Sequence, residues 1–284
     1  MRNLIRLTRF FLSLAVSLSA LFSYLLVVKS PNFEIFLPWL GILLLALGTS
    51  ALNQIQEIKF DSKMQRTKIR PLVTGDISVF QAYGIVLFLL LASFASLYYS
   101  MQLTGIYFAI FTIFTYNIVY TYMKRVSYWA LVLGSFLGVI APMIGWIVAG
   151  GSLYDSRFIA LFLFYFVWQV PHFWLLMLMN GDDYEQAGFP TLKDKIGKEG
   201  LMRIIAVWNY LIILIALSLQ YLFDVSLTIW LLSIVISAYM LYSSFLLISG
   251  SKTTSKFLKI RFMELNTFIL LTVIFLVIHN LMDI

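Results

Sequence analysis

Apolar residues dominate the chain in long runs that short polar segments interrupt. Spanning a bilayer as a helix takes about 20 mostly apolar residues. The runs that lack Asp, Glu, Lys and Arg cover residues 10–28, 35–56, 77–123, 126–154, 158–181, 204–223, 225–251 and 265–282. The run 77–123 is too long for one span, and its YSMQLTG segment (99–105) predicts a break. The pattern therefore predicts an all-α fold, a membrane bundle of nine transmembrane helices in a single domain over residues 1–284.

The composition agrees with a membrane protein. The chain is 61% hydrophobic and 12% charged, with a mean hydropathy of +0.92, whereas soluble domains are about 25% charged. It has no cysteine, which excludes disulfides, thiolate metal sites and cysteine nucleophiles. The first apolar run follows Arg2, Arg6 and Arg9, as in a signal peptide. Because this run is long enough to span and lacks a small-residue cleavage site, we interpret it as a retained helix.

The positive charge becomes one-sided once the helices are counted. The net charge is +7, which in a membrane protein is typical of cationic cytoplasmic loops rather than of a nucleic-acid partner. With nine helices and a cytoplasmic N-terminus, all of the 20 Lys and Arg residues except Lys29 and Arg157 fall on the cytoplasmic side. A different helix count would divide these residues between both sides, so the distribution favours nine helices. With an odd number of helices and a cytoplasmic N-terminus, the C-terminus is predicted to lie outside.

The first polar segment, NQIQEIKFDSKMQRTKIRPLVTG (53–75), follows the second helix. Asn53, Glu57 and Asp61 are four residues apart, so they share one helix face. Because polar groups that face lipid are costly, this face should point into the bundle or a wet cavity. The segment also carries five cations, Lys59, Lys63, Arg66, Lys68 and Arg70.

A second acidic segment, NGDDYEQAGFPTLKDK (180–195), follows the sixth helix. The predicted topology puts its Asp182 and Asp183 at the same cytoplasmic rim as the first segment. Two carboxylate clusters that face each other repel unless cations lie between them. Carboxylate and amide oxygens suit Mg²⁺, and the interleaved arginines and lysines suit a phosphate or diphosphate.

A third cytoplasmic segment, YTYMKR (120–125), places Tyr120 and Lys124 four residues apart at the end of the fourth helix. Their hydroxyl and ammonium groups could both reach a diphosphate oxygen. Each segment also has a structural interpretation. Lys124 and Arg125 can determine topology, an Asp pair can be solvated or cap a helix, and acids at a spacing of four can form surface ion pairs.

These three segments together resemble the UbiA superfamily of intramembrane prenyltransferases, over nearly the whole chain. The family's Asn-x-x-x-Asp-x-x-x-Asp motif corresponds to NQIQEIKFD (53–61), its Tyr-x-x-x-Lys motif to YTYMK (120–124) and its second Asp-rich motif to DDYEQAG (182–188). The runs FDSKMQRTKIRPLVTG (60–75) and WQVPHFWLL (168–176) are most similar to the branch that farnesylates protohaem IX.

Three positions depart from the family pattern. Glu57 stands where the family usually has Asp, which keeps the carboxylate. The segment LTRFFL (7–12) lacks the Lys-Pro that often opens the first helix, and Arg9 would supply its charge. Ala187 follows Asp183 by four residues, so the second motif lacks the Asp-x-x-x-Asp spacing of some relatives.

The resemblance implies that farnesyl diphosphate and protohaem IX are the substrates and that Mg²⁺ is the cofactor. It implies catalytic roles for Asp61, Asp183 and Lys124. The implied metal ligands are Asn53, Glu57, Asp61, Asp182 and Asp183. The implied substrate-binding residues are Arg66, Lys68, Arg70 and Tyr120 for the diphosphate and His172 at the haem end. A downstream haem-modifying enzyme or oxidase is the further partner that this function implies.

Three alternatives stay open from the sequence. One is a prenyltransferase that acts on an aromatic quinone precursor, and the others are a transporter and a non-catalytic scaffold. Transporter sites lie near the bilayer midplane and often in paired repeats, whereas these acids gather at one rim. The absence of a transit-like extension favours a bacterial inner membrane, with the active site facing the cytoplasm.

Overall fold

The computed structural model describes residues 1–249 and 254–282, without the side chain of Asp182. These residues form helices and connecting turns, and none of them belongs to a strand. The α-helices are α1 (Arg2–Leu7), α2 (Phe10–Leu25), α3 (Phe36–Asp61), α4 (Pro71–Thr74), α5 (Val79–Ile113), α6 (Thr121–Met123), α7 (Ala130–Val148), α8 (Ser156–Met179), α9 (Gly181–Ala187), α10 (Lys193–Leu222), α11 (Leu227–Ser249) and α12 (Ser255–Met282). A 3-10 turn (Phe33–Ile35) precedes α3, and a π-helix (Phe114–Tyr120) joins α5 to α6.

Seven helical segments in the described part of the chain are long and apolar enough to cross a membrane, and α2 is a shorter apolar helix. The longest segment, Val79–Met123, has 45 residues. Its backbone leaves helical geometry at Gln102, with φ 54° and ψ −141°, inside the stretch where the sequence predicts a break. The chain is therefore a multi-pass, all-helical membrane protein.

The helices fall into two compact units. The first consists of Met1–Tyr24, Asn32–Ala149 and Asp182–Pro190. The second consists of Leu25–Pro31, Gly150–Gly181 and the described residues of Thr191–Ile284. The single domain that the sequence predicts stays a prediction.

Small residues bring the helices of the first unit close together. On α3, a Cβ added to Gly41 would lie 2.7 Å from Leu97 Cγ of α5. The hydroxyl of Ser93 on α5 donates to Gly41 O at 2.8 Å. A Cβ on Gly145 of α7 would lie only 1.9 Å from the carbonyl oxygen of Ala20 on α2. The Gly41 contacts hold α3, whose C-terminal half carries the polar face, against α5.

In the second unit, α8 packs against α10 and α12, and α11 packs against α10 and α12. A polar cluster joins α11 to α12, because Glu264 accepts hydrogen bonds from Tyr239 at 2.5 Å and from Ser243 at 2.6 Å. Arg261 pairs with the same carboxylate at 2.9 Å. The cluster satisfies a charge on a membrane helix, and we interpret it as structural.

Candidate active site

The acidic face that the sequence predicts on α3 is buried. Asn53, Glu57 and Asp61 are 0%, 4% and 4% exposed. The spacing of four residues therefore places three polar side chains on one inward side of the helix, as predicted. A buried carboxylate is costly unless it is paired, so each of these groups needs a partner.

Each of the three has a cationic partner from another segment of the first unit. Asn53 Oδ1 accepts a hydrogen bond from Arg9 Nη2 at 3.1 Å. Glu57 Oε1 lies 2.5 Å from Lys124 Nζ. Arg70 donates to the carboxylate of Asp61 and forms an ion pair with it. The described residues thus form three acceptor–cation pairs along one helix.

Arg9 lies between α1 and α2 in a left-handed backbone conformation, with φ 47°. Besides Asn53, its guanidinium contacts the hydroxyl of Tyr116 at 3.5 Å. Burial alone would lower the pKa of Arg9, but Tyr116, Glu57 and Asp61 raise it overall. Arg9 therefore brings a permanent positive charge to Asn53, at one end of the polar face of α3. From the sequence, Arg9 was known only as the charged residue of the segment LTRFFL.

Lys124 follows α6 and stands between the acidic face and two aromatic rings. Its Nζ lies 5.4 Å from the ring centre of Tyr120 and 5.8 Å from that of Phe189. Burial lowers the pKa of Lys124, and the neighbouring Glu57 opposes that shift. The predicted proximity of Tyr120 and Lys124 is confirmed, with the ammonium over the ring.

The loop of residues 62–70 carries the other predicted cations. Arg66 and Lys68 are exposed, and Arg70 is half-buried against Asp61. The hydroxyl of Thr67 donates to the carbonyl oxygen of Asp61 at 2.9 Å, which folds the loop back onto the end of α3. The loop therefore presents three cations outward, Lys63, Arg66 and Lys68, and directs Arg70 inward.

Asp183 of the second acidic motif holds this loop from α9. Its side chain is 8% exposed, and its two oxygens accept the backbone N–H groups of Gln65 at 2.9 Å and Arg66 at 3.1 Å. The two acidic motifs thus meet through the loop, within the first unit. The side chain of Asp182, which the sequence predicts as a metal ligand, lies outside the described atoms.

An aromatic and apolar cluster holds α9 against the end of α3. The rings of Phe60 and Phe189 stack at a centroid distance of 5.2 Å. Met64, Ala187 and Phe189 are buried together, with Phe60 and Tyr184 packed against them. This packing positions Asp183 under the loop.

Tyr120 ends the π-helix Phe114–Tyr120. Its ring stacks on Tyr116 at 5.8 Å. The hydroxyl of Thr121 donates to Tyr116 O at 2.8 Å and accepts from Asn53 Nδ2 at 2.9 Å. Single π-helical turns inside longer helices often occur at functional sites, and this one ends where Thr121 contacts Asn53 of α3.

The donor chemistry of this face fits Mg²⁺. One amide and two carboxylates lie buried on one side of α3, and oxygen ligands are those that Mg²⁺ prefers. Among the described residues, no group of three or more His, Cys, Asp or Glu side chains is arranged to hold a metal. The oxygens of Asn53, Glu57 and Asp61 contact cationic side chains instead, so metal binding would require these oxygens to exchange the cationic side chains for the metal.

Two interactions near the site join the end of α3 to the neighbouring segment and are structural. Arg125 donates to Gln56 O at 3.0 Å, and its guanidinium lies 4.7 Å and 4.5 Å from the ring centres of Phe60 and Tyr122. Asn117 donates to the Gln56 side chain at 3.2 Å. These contacts tie the end of α3 to the segment around α6, which positions Lys124.

His172 belongs to the second unit, on α8. Its Nδ1 lies 2.8 Å from Asn266 Oδ1 on α12. The ring is half-buried and contacts three aromatic rings, with centroid distances of 4.7 Å to Phe262, 5.2 Å to Trp168 and 5.5 Å to Phe173.

A helical membrane protein with a buried face of acids and cations belongs to a restricted class of proteins, and comparison with known proteins identifies the class. The model of the UbiA prenyltransferase family matches residues 13–272. The chain belongs to this family.

Two curated relatives carry the same name. The protoheme IX farnesyltransferase of Oleidesulfovibrio alaskensis is 34% identical over 65% of this chain and 65% of its own length. The protoheme IX farnesyltransferase of Geobacter sulfurreducens is 34% identical over 69% of this chain and 73% of its own length. The matched region thus spans about two thirds of the relatives' length.

A solved structure shares the fold. It is a UbiA homologue from Archaeoglobus fulgidus bound to GPP and Mg²⁺, and it superposes with a TM-score of 0.67. The superposition covers 96% of this chain and 99% of that chain, at 17% sequence identity. At that identity the likeness establishes the fold.

Proposed function

We propose that this protein transfers a farnesyl group from farnesyl diphosphate to a vinyl group of protohaem IX, giving haem O and diphosphate. Membership of a prenyltransferase family supports the reaction class, and the names of the curated relatives support the acceptor and the farnesyl chain. The observation that carries the proposal is the buried face of α3, on which Asn53, Glu57 and Asp61 each face a cation. Releasing diphosphate needs both metal ligands and cationic side chains, because negative charge builds on the leaving oxygens and must be stabilised.

We assign Mg²⁺ as the metal, with Asn53, Glu57 and Asp61 as its ligands. When bound, Mg²⁺ would stabilise negative charge on the diphosphate oxygens. The solved homologue with GPP and Mg²⁺ supports a metal and a prenyl diphosphate in this fold. Metal ligation by Asp182 and Asp183 stays a prediction, and the two backbone hydrogen bonds of Asp183 favour a role in holding the loop of residues 62–70.

The cations would bind the leaving group. Lys124 and Arg70, when they exchange Glu57 and Asp61 for the substrate, offer an ammonium and a bidentate guanidinium to diphosphate oxygens. The exposed positions of Arg66 and Lys68 place two further cations on the loop.

Tyr120 would donate a hydrogen bond from its hydroxyl to the same oxygens. Its ring lies next to Lys124, which supports their acting on one group.

The chemistry then follows from the bonds involved. The bond between C1 of the farnesyl chain and the diphosphate oxygen breaks, and its electron pair leaves with diphosphate. The vinyl group of protohaem uses its π electrons to form a carbon–carbon bond with the allylic cation. Water adds to the resulting carbocation and loses a proton, which gives a hydroxyethylfarnesyl group.

The topology is part of the proposal. The break at Gln102 divides Val79–Met123 into two segments, and α2 adds one more, so the seven long segments become nine spans. The one-sided distribution of Lys and Arg supports a cytoplasmic N-terminus, an external C-terminus and an active site that faces the cytoplasm. The bacterial origin of the relatives supports the bacterial inner membrane.

The test is an incubation of purified protein in detergent with protohaem, farnesyl diphosphate and Mg²⁺, with products measured by mass spectrometry. We expect a Mg²⁺-dependent hydroxyethylfarnesyl haem that EDTA abolishes and that Asp61→Asn reduces strongly. Asp76→Asn is the matched control, because Asp76 is exposed and outside the site. Diphosphate release without a haem product would refute the acceptor and favour a quinone precursor. The absence of diphosphate release would refute the enzyme in favour of a transporter or scaffold.

A further inference from the structure

The side chain of Asn53 is held at both ends of its amide. Its oxygen, Oδ1, accepts from Arg9 Nη2 at 3.1 Å, and its nitrogen, Nδ2, donates to the hydroxyl oxygen of Thr121 at 2.9 Å. Asn53 and Thr121 are both 0% exposed, so bulk water does not compete for either bond. The hydrogen-bond network decides which end of an amide is the oxygen. Because a guanidinium can only donate, the end that faces Arg9 must be the oxygen.

Thr121 sets the same orientation from the opposite end. Its hydroxyl donates to the carbonyl oxygen of Tyr116 at 2.8 Å. Its backbone N–H also donates to that carbonyl, which lies five residues earlier because this segment is a π-helix. A hydroxyl has one proton and a carbonyl can only accept, so the Thr121 oxygen faces Asn53 as an acceptor. The amide therefore turns its NH2 group towards Thr121 and its oxygen away from it.

These two constraints separate when a metal is bound. In the proposed site the Asn53 oxygen exchanges Arg9 for Mg²⁺, and Thr121 is then the one of these two partners that still distinguishes the ends of the amide. An amide binds Mg²⁺ through its oxygen, and a flipped amide would present its NH2 group instead. We propose that Thr121 is a positioning residue that keeps the Asn53 oxygen directed at the metal. The inference rests on the proposed function, because it takes Asn53 as a Mg²⁺ ligand.

The variants that test this remove the hydroxyl or make the orientation of residue 53 irrelevant. Thr121→Val removes the acceptor at nearly constant shape, and Thr121→Ser retains it. Asn53→Asp replaces the amide by a carboxylate, whose two ends are both oxygens and need no orientation. Thr272→Val is the matched control, because Thr272 is 1% exposed and its hydroxyl donates to Phe268 O at 2.9 Å within α12.

The quantity measured is the Mg²⁺ concentration that gives half-maximal binding of farnesyl thiodiphosphate, a non-reactive substrate analogue, to the full-length protein in detergent. Isothermal titration calorimetry with the analogue, at a series of Mg²⁺ concentrations, gives this value for each protein. Thermal unfolding without ligands shows whether each variant is folded. The measurement reports metal binding and does not depend on turnover.

Loss of an outer-shell partner typically costs about 10- to 100-fold in metal affinity, so Thr121→Val should raise the half-maximal Mg²⁺ concentration by about that factor. Thr121→Ser and Thr272→Val should stay close to wild type. In the Asn53→Asp background, adding Thr121→Val should change the concentration by less than about twofold, a non-additive result that reports the contact between the two side chains.

Two results would overturn the inference. One is a Mg²⁺ requirement that is unchanged in Thr121→Val. The other is an equal rise in the Asn53→Asp background, because the effect would then not depend on which end of the side chain is the oxygen. If Thr121→Val does not fold, Thr121→Ala removes the same acceptor in a smaller side chain and is judged by the same two results.

The farnesylation assay separates this inference from the proposed function. Farnesylated haem made by wild type, with an unchanged Mg²⁺ requirement in Thr121→Val, would keep the function and overturn the inference. A raised requirement that Asn53→Asp removes, in a protein that makes no prenylated haem, would support the inference and refute the function.

Discussion

Replacing Asp183 by alanine tests how the second acidic motif works. The carboxylate holds the loop of residues 62–70 through two backbone hydrogen bonds, from Gln65 at 2.9 Å and Arg66 at 3.1 Å. Hydrogen bonds to a charged group contribute about 1.5–3 kcal/mol each. Gln65 and Arg66 are exposed, so in the variant water can hydrogen-bond to their N–H groups and recover part of this free energy. We therefore expect a total loss of about 1.5–3 kcal/mol for the two hydrogen bonds together.

That loss should appear as weaker binding of the diphosphate that the loop serves. It corresponds to a rise of about 10- to 150-fold in KM for farnesyl diphosphate. If Asp183 acts only through the loop, the Mg²⁺ concentration for half-maximal activity should stay close to that of wild type. Steady-state kinetics with farnesyl diphosphate and Mg²⁺ varied separately measure both quantities. Trypsin should also cleave faster after Lys63, Arg66 and Lys68 in the variant, because the loop is released.

Asp76→Ala is the matched control for this experiment. Asp76 is exposed, and its carboxylate accepts only a short-range hydrogen bond from Thr74 at 2.9 Å. The control should change neither KM nor the rate of cleavage. A KM for farnesyl diphosphate that stays unchanged in Asp183→Ala, together with a raised Mg²⁺ requirement, would refute the loop-holding role and show that Asp183 is a metal ligand.

Two further predictions concern the buried cation and the helix contacts. Burial lowers the pKa of Lys124 from its ordinary value near 10.5, so kcat/KM should fall as pH rises through that lowered pKa. Lys124→Arg should move this alkaline limb of the pH profile to higher pH, because arginine stays charged. Identical pH profiles for the wild type and the variant would contradict this. Gly145→Ala puts a Cβ 1.9 Å from Ala20 O, so it should destabilise the protein by about 1–3 kcal/mol or more in a thermal-shift assay, whereas Gly84→Ala, with open space around it, should be neutral or slightly stabilising. Equal Tm values for the two glycine variants would refute the close packing of α2 and α7.

Much of the fold and the main features of the site follow from local patterns. Runs without charge predict the membrane helices, and the YSMQLTG segment predicts the break that the backbone makes at Gln102. The spacing of Asn53, Glu57 and Asp61 predicts one buried face, because helical periodicity alone decides it. The meeting of the two acidic motifs was also predicted, from topology.

The partners of these groups depend on contacts between distant segments, and no local pattern encodes them. Arg9 reaches Asn53 across 44 residues, and Asn266 reaches His172 across 94 residues. The sequence suggested Asp183 as a metal ligand, whereas in the structure both of its oxygens accept hydrogen bonds from the backbone of the loop of residues 62–70. An asparagine on an apolar helix carries no signal for such a contact until its neighbour is known.

The most direct test of the central claim is Mg²⁺-dependent binding of a non-reactive farnesyl diphosphate analogue, farnesyl thiodiphosphate, to wild type and to Asp61→Asn. If the buried face of α3 holds the metal and the diphosphate, wild type should bind the analogue only with Mg²⁺, and Asp61→Asn should lose at least about tenfold in affinity. Asp76→Asn should bind as wild type does. Tight binding without Mg²⁺, or binding that Asp61→Asn leaves unchanged, would contradict the assignment of this face as the diphosphate site.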